Sequence, residues 1–172
     1  YLLSALSIVF AQSGVAPTGS GTLGDPYLVT NWQNLLWIQE DAARWDKNYR
    51  QTADIDFSTA EPAINTWNSN TGWMPIGTNA VQFTGSYDGQ GFDITNVYMN
   101  RTSAGSIIQG FFGYTNAAII SNIHLSGNFT FQGVRTIRAA GLIGYAVGGS
   151  VTNCSVSGSV QVTLIGEEGF MG

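Results

Sequence analysis

The chain has 172 residues, which is enough for one domain with a substantial core. It contains 22 glycines, only 10% of its residues are charged, and its formal net charge is −5, whereas roughly 25% of the residues of an average soluble domain are charged. Six Lys and Arg residues in total cannot form the basic stripe that neutralises a phosphate backbone, so the composition excludes a nucleic-acid partner.

The first residues differ from the rest of the chain. Residues 1–11 are small and aliphatic and end in Val9-Phe10-Ala11, a pattern that signal peptidase accepts. The run is too short to span a membrane, and no integral membrane span is expected. We interpret residues 1–11 as the remnant of a secretory signal peptide. An apolar strand or a docking segment is the alternative interpretation.

The next residues predict the one helix of the chain. Residues 12–26 are rich in Gly, Ser and Thr and are expected to form a flexible segment leading into the fold. Thr30 and Gln33 fit a capping box. Apolar residues then recur at helical spacing, which predicts an amphipathic helix over about 31–45.

The rest of the chain has strand character. Residues 49–57 alternate apolar and polar side chains and predict a strand. We assign residues 27–93 to an N-terminal cap that contains the helix and the first coils. Residues 94–172 are assigned to β-helix repeats, of which the third is truncated.

The repeats are visible as phrases of similar sequence. The phrase GFFGYTNAAIISNIHLSG at residues 110–127 returns as GLIGYAVGGSVTNCSVSG at residues 141–158. Shorter matches lie at residues 94–99 and 169–172, and the offsets range from 26 to 31 residues. Short strands repeated at this period indicate a solenoid, in which each repeat is one coil stacked on the next.

Two sets of residues recur at fixed positions of these phrases. The glycines around the large residues are expected at coil corners, where glycine allows a positive φ or a close backbone approach. The recurring asparagines are expected to stack as a ladder of side-chain amides. The corner glycines are Gly110, Gly113, Gly141, Gly144, Gly169 and Gly172, and the ladder residues are Asn96, Asn122 and Asn153.

These phrases resemble the GLUG motif of bacterial secreted and surface proteins, whose repeats are associated with right-handed parallel β-helices. Upstream phrases such as WMPIG and FTGSYDGQGFDITNV are similar to the capping region that precedes the repeats in adhesin-like proteins. The resemblance covers roughly residues 19–172. It implies an all-β fold, a right-handed parallel β-helix (β-solenoid) with an N-terminal capping region that contains one α-helix. It also implies a secreted or cell-surface location.

The repeats lack the residues that catalysis needs. From residue 94 to 166 the only charged side chains are Arg101, Arg135 and Arg138. This part of the chain therefore contains no general acid, no carboxylate nucleophile and no acidic metal ligand. We expect no enzymatic activity and no cofactor.

Upstream carboxylates were considered as a metal site. Hard oxygen ligands of the type that calcium prefers cluster before the repeats. Turn and cap roles explain them more simply, because Asp88 precedes Gly89 in a turn sequence. No metal is therefore assigned, and the weak calcium candidates are Asp54, Asp56, Asp88 and Asp93.

Three residues are candidates for an exposed contact. Trp67 lies in the polar loop NTWNSNTGW, where an aromatic ring can stack on a sugar. Tyr98 and His124 occupy matching positions of two repeat phrases and are expected to point outwards.

The expected function is that of an adhesin-like or structural surface protein without catalysis. Its partners would be a glycan, a protein surface, or further copies of the chain joined end to end through an uncapped strand edge near Gly172. The alternative is a carbohydrate-binding module of a polysaccharide-degrading or surface protein. A β-helical polysaccharide lyase or glycosidase is the less favoured alternative.

Overall fold

A computed structural model describes residues 12–165 of the chain. The signal-peptide remnant predicted at residues 1–11 lies outside the described residues. The same is true of Gly169 and Gly172.

The N-terminal helix is shorter than the sequence predicted. The helix α1 (Trp32–Glu40) follows the strand β1 (Tyr27–Val29). Its N-cap is Asn31, whose side chain accepts a hydrogen bond from the backbone N–H of Asn34. The capping residue is thus one position later than the predicted Thr30.

The helix ends early because the backbone of Asp41 is extended. The side chain of Asp41 accepts a hydrogen bond from the N–H of Ala43 and starts a separate 3₁₀ helix, Ala42–Arg44. A residue that caps a new turn cannot also continue the previous helix.

The segment 12–26 makes specific contacts with the cap. The N–H of Val15 donates to the carbonyl of Gln33, and the side-chain amide of Asn34 donates back to the carbonyl of Val15. Thr18 pairs with Leu28 in an isolated antiparallel bridge. The segment therefore lies along α1 instead of leading loosely into the fold.

The described chain is mostly β and its strands form four parallel sheets. The orders are β1-β2-β4-β8-β12, β3-β5-β9-β13, β6-β10 and β7-β11. After β1 the strands are β2 (Asn48–Gln51), β3 (Ile55–Asp56), β4 (Ser86–Asp88), β5 (Asp93–Ser103), β6 (Ile107–Gln109), β7 (Phe112–Asn116), β8 (Ile119–Ser121), β9 (His124–Gly133), β10 (Ile137–Ala139), β11 (Ile143–Val147), β12 (Ser150–Thr152) and β13 (Ser155–Leu164).

The chain visits these sheets in a fixed order. From β4 onwards it passes through the five-stranded sheet, the four-stranded sheet and the two two-stranded sheets, and then starts again. We call one such passage a coil: the first runs over residues 86–116, the second over 119–147, and the third begins with β12 and β13. Ile119 pairs with Ser150, 31 residues later, so consecutive coils stack in register.

The predicted strand over residues 49–57 is divided between two sheets. Tyr49 and Ile55 point inwards as the alternation indicated, but β2 and β3 are separated by a corner. Phe57 begins a 3₁₀ helix, Phe57–Thr59. Beyond the one helix predicted, the described chain also has a 3₁₀ helix, Ile64–Thr66, and a short helix α2 (Trp67–Asn70) with left-handed backbone at Asn68 and Ser69.

Aromatic side chains fill the interior of the coils. Trp73 stacks on Phe111 with a centroid distance of 4.9 Å, and its indole N–H donates to the Phe111 carbonyl. Tyr27, Tyr49 and Tyr87 stack one above the other on consecutive strands of the five-stranded sheet. Burial of such rings is a large apolar contribution to stability.

Candidate functional site

A ladder of polar side chains runs along one corner of the coils. The corner is the point where the chain leaves the five-stranded sheet for the four-stranded sheet. The side-chain amide of Asn153 donates to Oδ1 of Asn122 over 3.1 Å, and the amide of Asn122 donates to Oδ1 of Asp88 over 2.8 Å. We call Asp88, Asn122 and Asn153 the corner ladder.

The backbone explains why asparagine occurs at this corner. Asn122 and Asn153 have φ of 55° and 56°, in the left-handed region that most L-residues avoid. Asparagine tolerates this conformation better than other side chains except glycine, because its short polar group bonds locally. The same residue therefore turns the chain and joins neighbouring coils.

The structure corrects the position of Asn96. Ile94 pairs with Leu125 and Val97 with Gly127, so Asn96 lies in a bulge of the four-stranded sheet and not at the corner. Its amide donates to Oδ1 of Asp56 over 2.8 Å. The 26-residue offset matched similar letters, but it is not the offset at which the strands pair.

Asp88 was missed as a ladder member, since its sequence context indicated only a turn. A signal was present: Tyr87 pairs with Ile120, so Asp88 directly precedes the corner as Ser121 does. Burial acts to raise the pKa of the Asp88 carboxyl, but hydrogen bonds from Asn122 and Gln90 outweigh it and the pKa is lowered. The carboxylate is thus held ionised as an acceptor.

The other calcium candidates bind neighbouring groups. Oδ1 of Asp54 accepts the backbone N–H of Asp93 over 2.9 Å. The Asn96 amide and the Ser58 N–H and hydroxyl lower the pKa of Asp56. Among the described residues, no group of three or more His, Cys, Asp or Glu side chains is placed to hold a metal ion.

Trp67 does not form the exposed contact that the sequence predicted. Only 1% of its surface is accessible, and its indole N–H donates to the carbonyl of Pro62. Its ring packs against Trp32 and Phe57 at centroid distances of 5.4 and 5.9 Å. The polar loop letters hid this burial, because the neighbours of Trp67 are exposed while its ring points inwards.

Tyr98 and His124 are not brought together. The register partner of Tyr98 is Asn128, whereas that of His124 is Asp93. His124 is exposed, and its Nδ1 lies 3.6 Å from Oδ1 of Asp93. Tyr98 is half-buried, and its carbonyl accepts the N–H of Trp73.

The described corner glycines are needed for close approach and not for a positive φ. None of Gly110, Gly113, Gly141 and Gly144 has a positive φ. A Cβ on Gly113 would lie 2.4 Å from the Gly77 carbonyl oxygen, and one on Gly144 would lie 2.5 Å from that of Gln109. Backbones of neighbouring segments pass too close for any larger residue.

The inward row of β13 is exposed at the last described coil. Val160 is 51% exposed, whereas its register partner Phe129 in the preceding coil is fully buried. Val162 and Phe131 differ in the same way. An inward position is therefore covered only where a following strand stacks on it.

Membrane association through a helix finds no support in the described range. Within residues 12–165, no helix is both long and apolar enough to cross a membrane.

Stacked coils of parallel strands with a corner ladder place this chain among repeat proteins built from short parallel strands. The chain is a GLUG-motif protein: residues 136–161 match the family described as the GLUG motif. These residues comprise β10, β11, β12 and the first part of β13, which is close to one full coil.

Two relatives share most of the chain. Halomucin from Haloquadratum walsbyi is 33% identical over 149 residues, which is 83% of this chain and 2% of that protein. A protein of Evansella cellulosilytica described as a Gly-rich membrane protein is 31% identical over 156 residues, which is 87% of this chain and 16% of that protein. No solved structure matches. The motif and the names of the relatives point to a surface-associated protein.

Proposed function

We propose that this chain is a section of a secreted or cell-surface protein that serves as a non-catalytic scaffold and adhesin-like binding surface. The observation that carries the proposal is the in-register stacking of successive coils, with β4, β8 and β12 in one parallel sheet and β5, β9 and β13 in another. Such stacking makes a stiff body whose outer faces are free to contact other molecules.

The architecture that we propose is a right-handed parallel β-helix. Parallel strands joined by crossovers in one sheet are right-handed in nearly all proteins. In this proposal residues 27–93 cap the stack and residues 94–172 supply the GLUG-type repeats. The aromatic stack of Tyr27, Tyr49 and Tyr87 supports continuity between the two parts.

The chemistry of the carboxylates supports a non-catalytic role. Hydrogen bonds lower the pKa of both Asp56 and Asp88. A general acid at neutral pH needs a raised pKa, so these two groups are suited to accept hydrogen bonds and not to deliver protons.

Carbohydrate binding through Trp67 loses its basis, since that ring is buried. Any sugar contact must therefore use another surface of the coils.

Labelling of intact cells tests the proposal. Antibodies raised against residues 12–165 are expected to label unpermeabilised cells of the source organism, or to detect the chain in the culture medium. A cytoplasmic protein detected only after lysis serves as the control. Labelling of this chain only after lysis, with none in the medium, would contradict the proposal.

A further inference from the structure

We propose that a cleft on the outside of the coils binds a carbohydrate that carries a carboxylate. The cleft lies between the 74–79 segment and the paired strands β6 and β10, and its volume is about 390 Å³. This volume falls in the lower part of the roughly 300–1,000 Å³ range of ligand pockets. The inference rests on the proposed function, in which the outer surface of the coils contacts extracellular material.

One wall of the cleft contains an acceptor without a partner. Oε1 of Gln109 is buried and receives no hydrogen bond. A buried polar atom left unpaired is costly, so a ligand that donates a hydrogen bond here restores a missing interaction. A sugar hydroxyl is such a donor.

The opposite side supplies a cation. The guanidinium carbon of Arg138 lies 4.5 Å from the centroid of the Tyr145 ring, which in turn packs edge-on against Tyr114 at 4.9 Å. This stacking restrains an otherwise mobile side chain. Arg138 adjoins Gln109 in space because Ala139, next in the chain, is the register partner of Gln109.

Arg138 has no carboxylate partner within the described chain. The ion pairs found among residues 12–165 join Arg44 to Asp41, Lys47 to Asp46 and His124 to Asp93. The planar guanidinium group matches a carboxylate with two parallel hydrogen bonds. An acidic ligand is therefore favoured over a neutral one.

The remaining walls fit a sugar ring. Met74 and Pro75 offer apolar surface to the carbon face of a ring, while Thr78 and Asn79 place polar groups at the rim. Few polar groups around an apolar wall are typical of small-molecule sites. The ligand class is thus a uronic-acid-containing glycan, of which one or two residues would enter the cleft.

Sequence analysis listed Arg138 as a charged residue but did not consider it or Gln109 as site residues. They lie 29 residues apart and meet only because β10 stacks on β6. The glycine phrases that follow each strand gave the signal, since equal spacing to those phrases places the two strands side by side.

Calorimetric titration of the full chain tests this inference. The ligands are short oligomers of galacturonate, glucuronate and mannuronate, each compared with its neutral counterpart of galactose, glucose or mannose. At least one uronate oligomer is expected to bind more tightly than its neutral counterpart by about tenfold or more. Absence of any such preference in all three pairs would overturn the proposal.

Two variants locate the binding. Arg138→Gln is expected to weaken uronate binding by about tenfold or more, and Asn79→Asp should weaken it through charge repulsion at the rim of the cleft. The matched control is Arg135→Gln, which removes an equal charge from an exposed residue outside the cleft. Equal losses in Arg135→Gln and Arg138→Gln would show non-specific attraction and contradict the site.

The two proposals fail separately. If the chain is detected on cells or in the medium but binds no uronate, the cleft proposal is wrong and the surface role stands. If uronate binding depends on Arg138 but the chain is found only inside cells, the proposed location is wrong and the binding site stands.

Discussion

The corner ladder joins three successive parts of the chain through side chains alone. Asn122 both donates to Asp88 and accepts from Asn153, so it is the central member. Its positive φ would be unfavourable for most residues. Two separate effects, backbone conformation and amide hydrogen bonding, therefore depend on one residue.

Substitutions of Asn122 separate these effects. Asn122→Gly keeps access to the positive φ but removes both hydrogen bonds, and we expect a loss of about 1–2 kcal/mol in the free energy of unfolding. Asn122→Ala removes both features and should cost about 1 kcal/mol more. Urea denaturation measures both values. Equal stability of the Ala and Gly variants would show that backbone conformation contributes nothing.

The lowered pKa of Asp88 predicts a specific acid sensitivity. A carboxyl whose pKa is lower in the folded state stabilises the fold above its unfolded value of 3.8, and this contribution is lost as the pH falls through the folded value. Asp88→Asn keeps an acceptor oxygen for Asn122 but no longer titrates. Its melting temperature should therefore fall less than that of the wild type between pH 5 and pH 2.

A charge control accompanies this measurement. Asp46→Asn removes the carboxylate that pairs with Lys47, away from the corner ladder. This variant should retain the acid sensitivity of the wild type. An acid response of Asp88→Asn that matches the wild type would contradict the role of the Asp88 carboxylate.

The pairing of β5 with β9 shows how an element departs from the simple repeat. The register shifts between Ile94 and Val97, where β5 contains a bulge, and Gly127 of β9 faces Val97 at its end. A Cβ on Gly127 would lie 2.0 Å from the Val97 carbonyl oxygen. The close approach of two backbones at the bulge therefore requires glycine.

Alanine substitutions test this requirement. Gly127→Ala must push the strands apart, and we expect a loss of about 1–3 kcal/mol in stability. Gly24→Ala is the control, because a Cβ there meets no atom within 4 Å. Its effect should stay within about 0.5 kcal/mol. Similar unfolding midpoints for the two variants would contradict the close packing at the bulge.

The elements differ in how far they could be predicted. The phrases at residues 110–127 and 141–158 predicted parallel, repeated strands, because each coil has the same steric needs at its glycines and apolar positions. The bulge at Asn96 could not be predicted, since it changes the pairing offset without a distinct sequence signal. The burial of Trp67 depends on rings from Trp32 and Phe57, which are distant in sequence.

The candidate cleft illustrates the same limit for function. Gln109 and Arg138 are unremarkable as isolated residues, and the loop with Met74 is contributed from a third part of the chain. Only the stacking of coils places an unpaired acceptor beside a restrained cation. A search by sequence favours aromatic residues in polar loops, and in this chain that preference selected the buried Trp67.

At the scale of the whole molecule, the exposed row of β13 is a surface for association. Val156, Val160 and Val162 are 39%, 51% and 50% exposed, and each faces a buried partner in the preceding coil. Unpaired strand edges with apolar side chains favour pairing with another strand. We propose that this row mediates end-to-end self-association of the chain.

Light scattering tests the association. The wild-type chain is expected to form dimers or larger species as its concentration rises. Val160→Asp should give a monomer, because an unpaired charge in an apolar contact is costly. Gln161→Asp adds the same charge at the adjacent position of β13, on the opposite face of the strand, and should still associate. A wild-type monomer at high concentration would contradict this role.

Engineered cysteines test the central claim, which is the parallel stacking of coils one repeat apart, in a Cys154→Ala background. Ser126 and Ser157 are register partners, so replacing both with Cys should give a disulfide on mild oxidation of the folded chain. Cysteines at Ser126 and Gln161 are displaced by four residues, about 13 Å along the strand, and should not bond. Bonding of the displaced pair, or none in the register pair, would contradict the stacked-coil architecture.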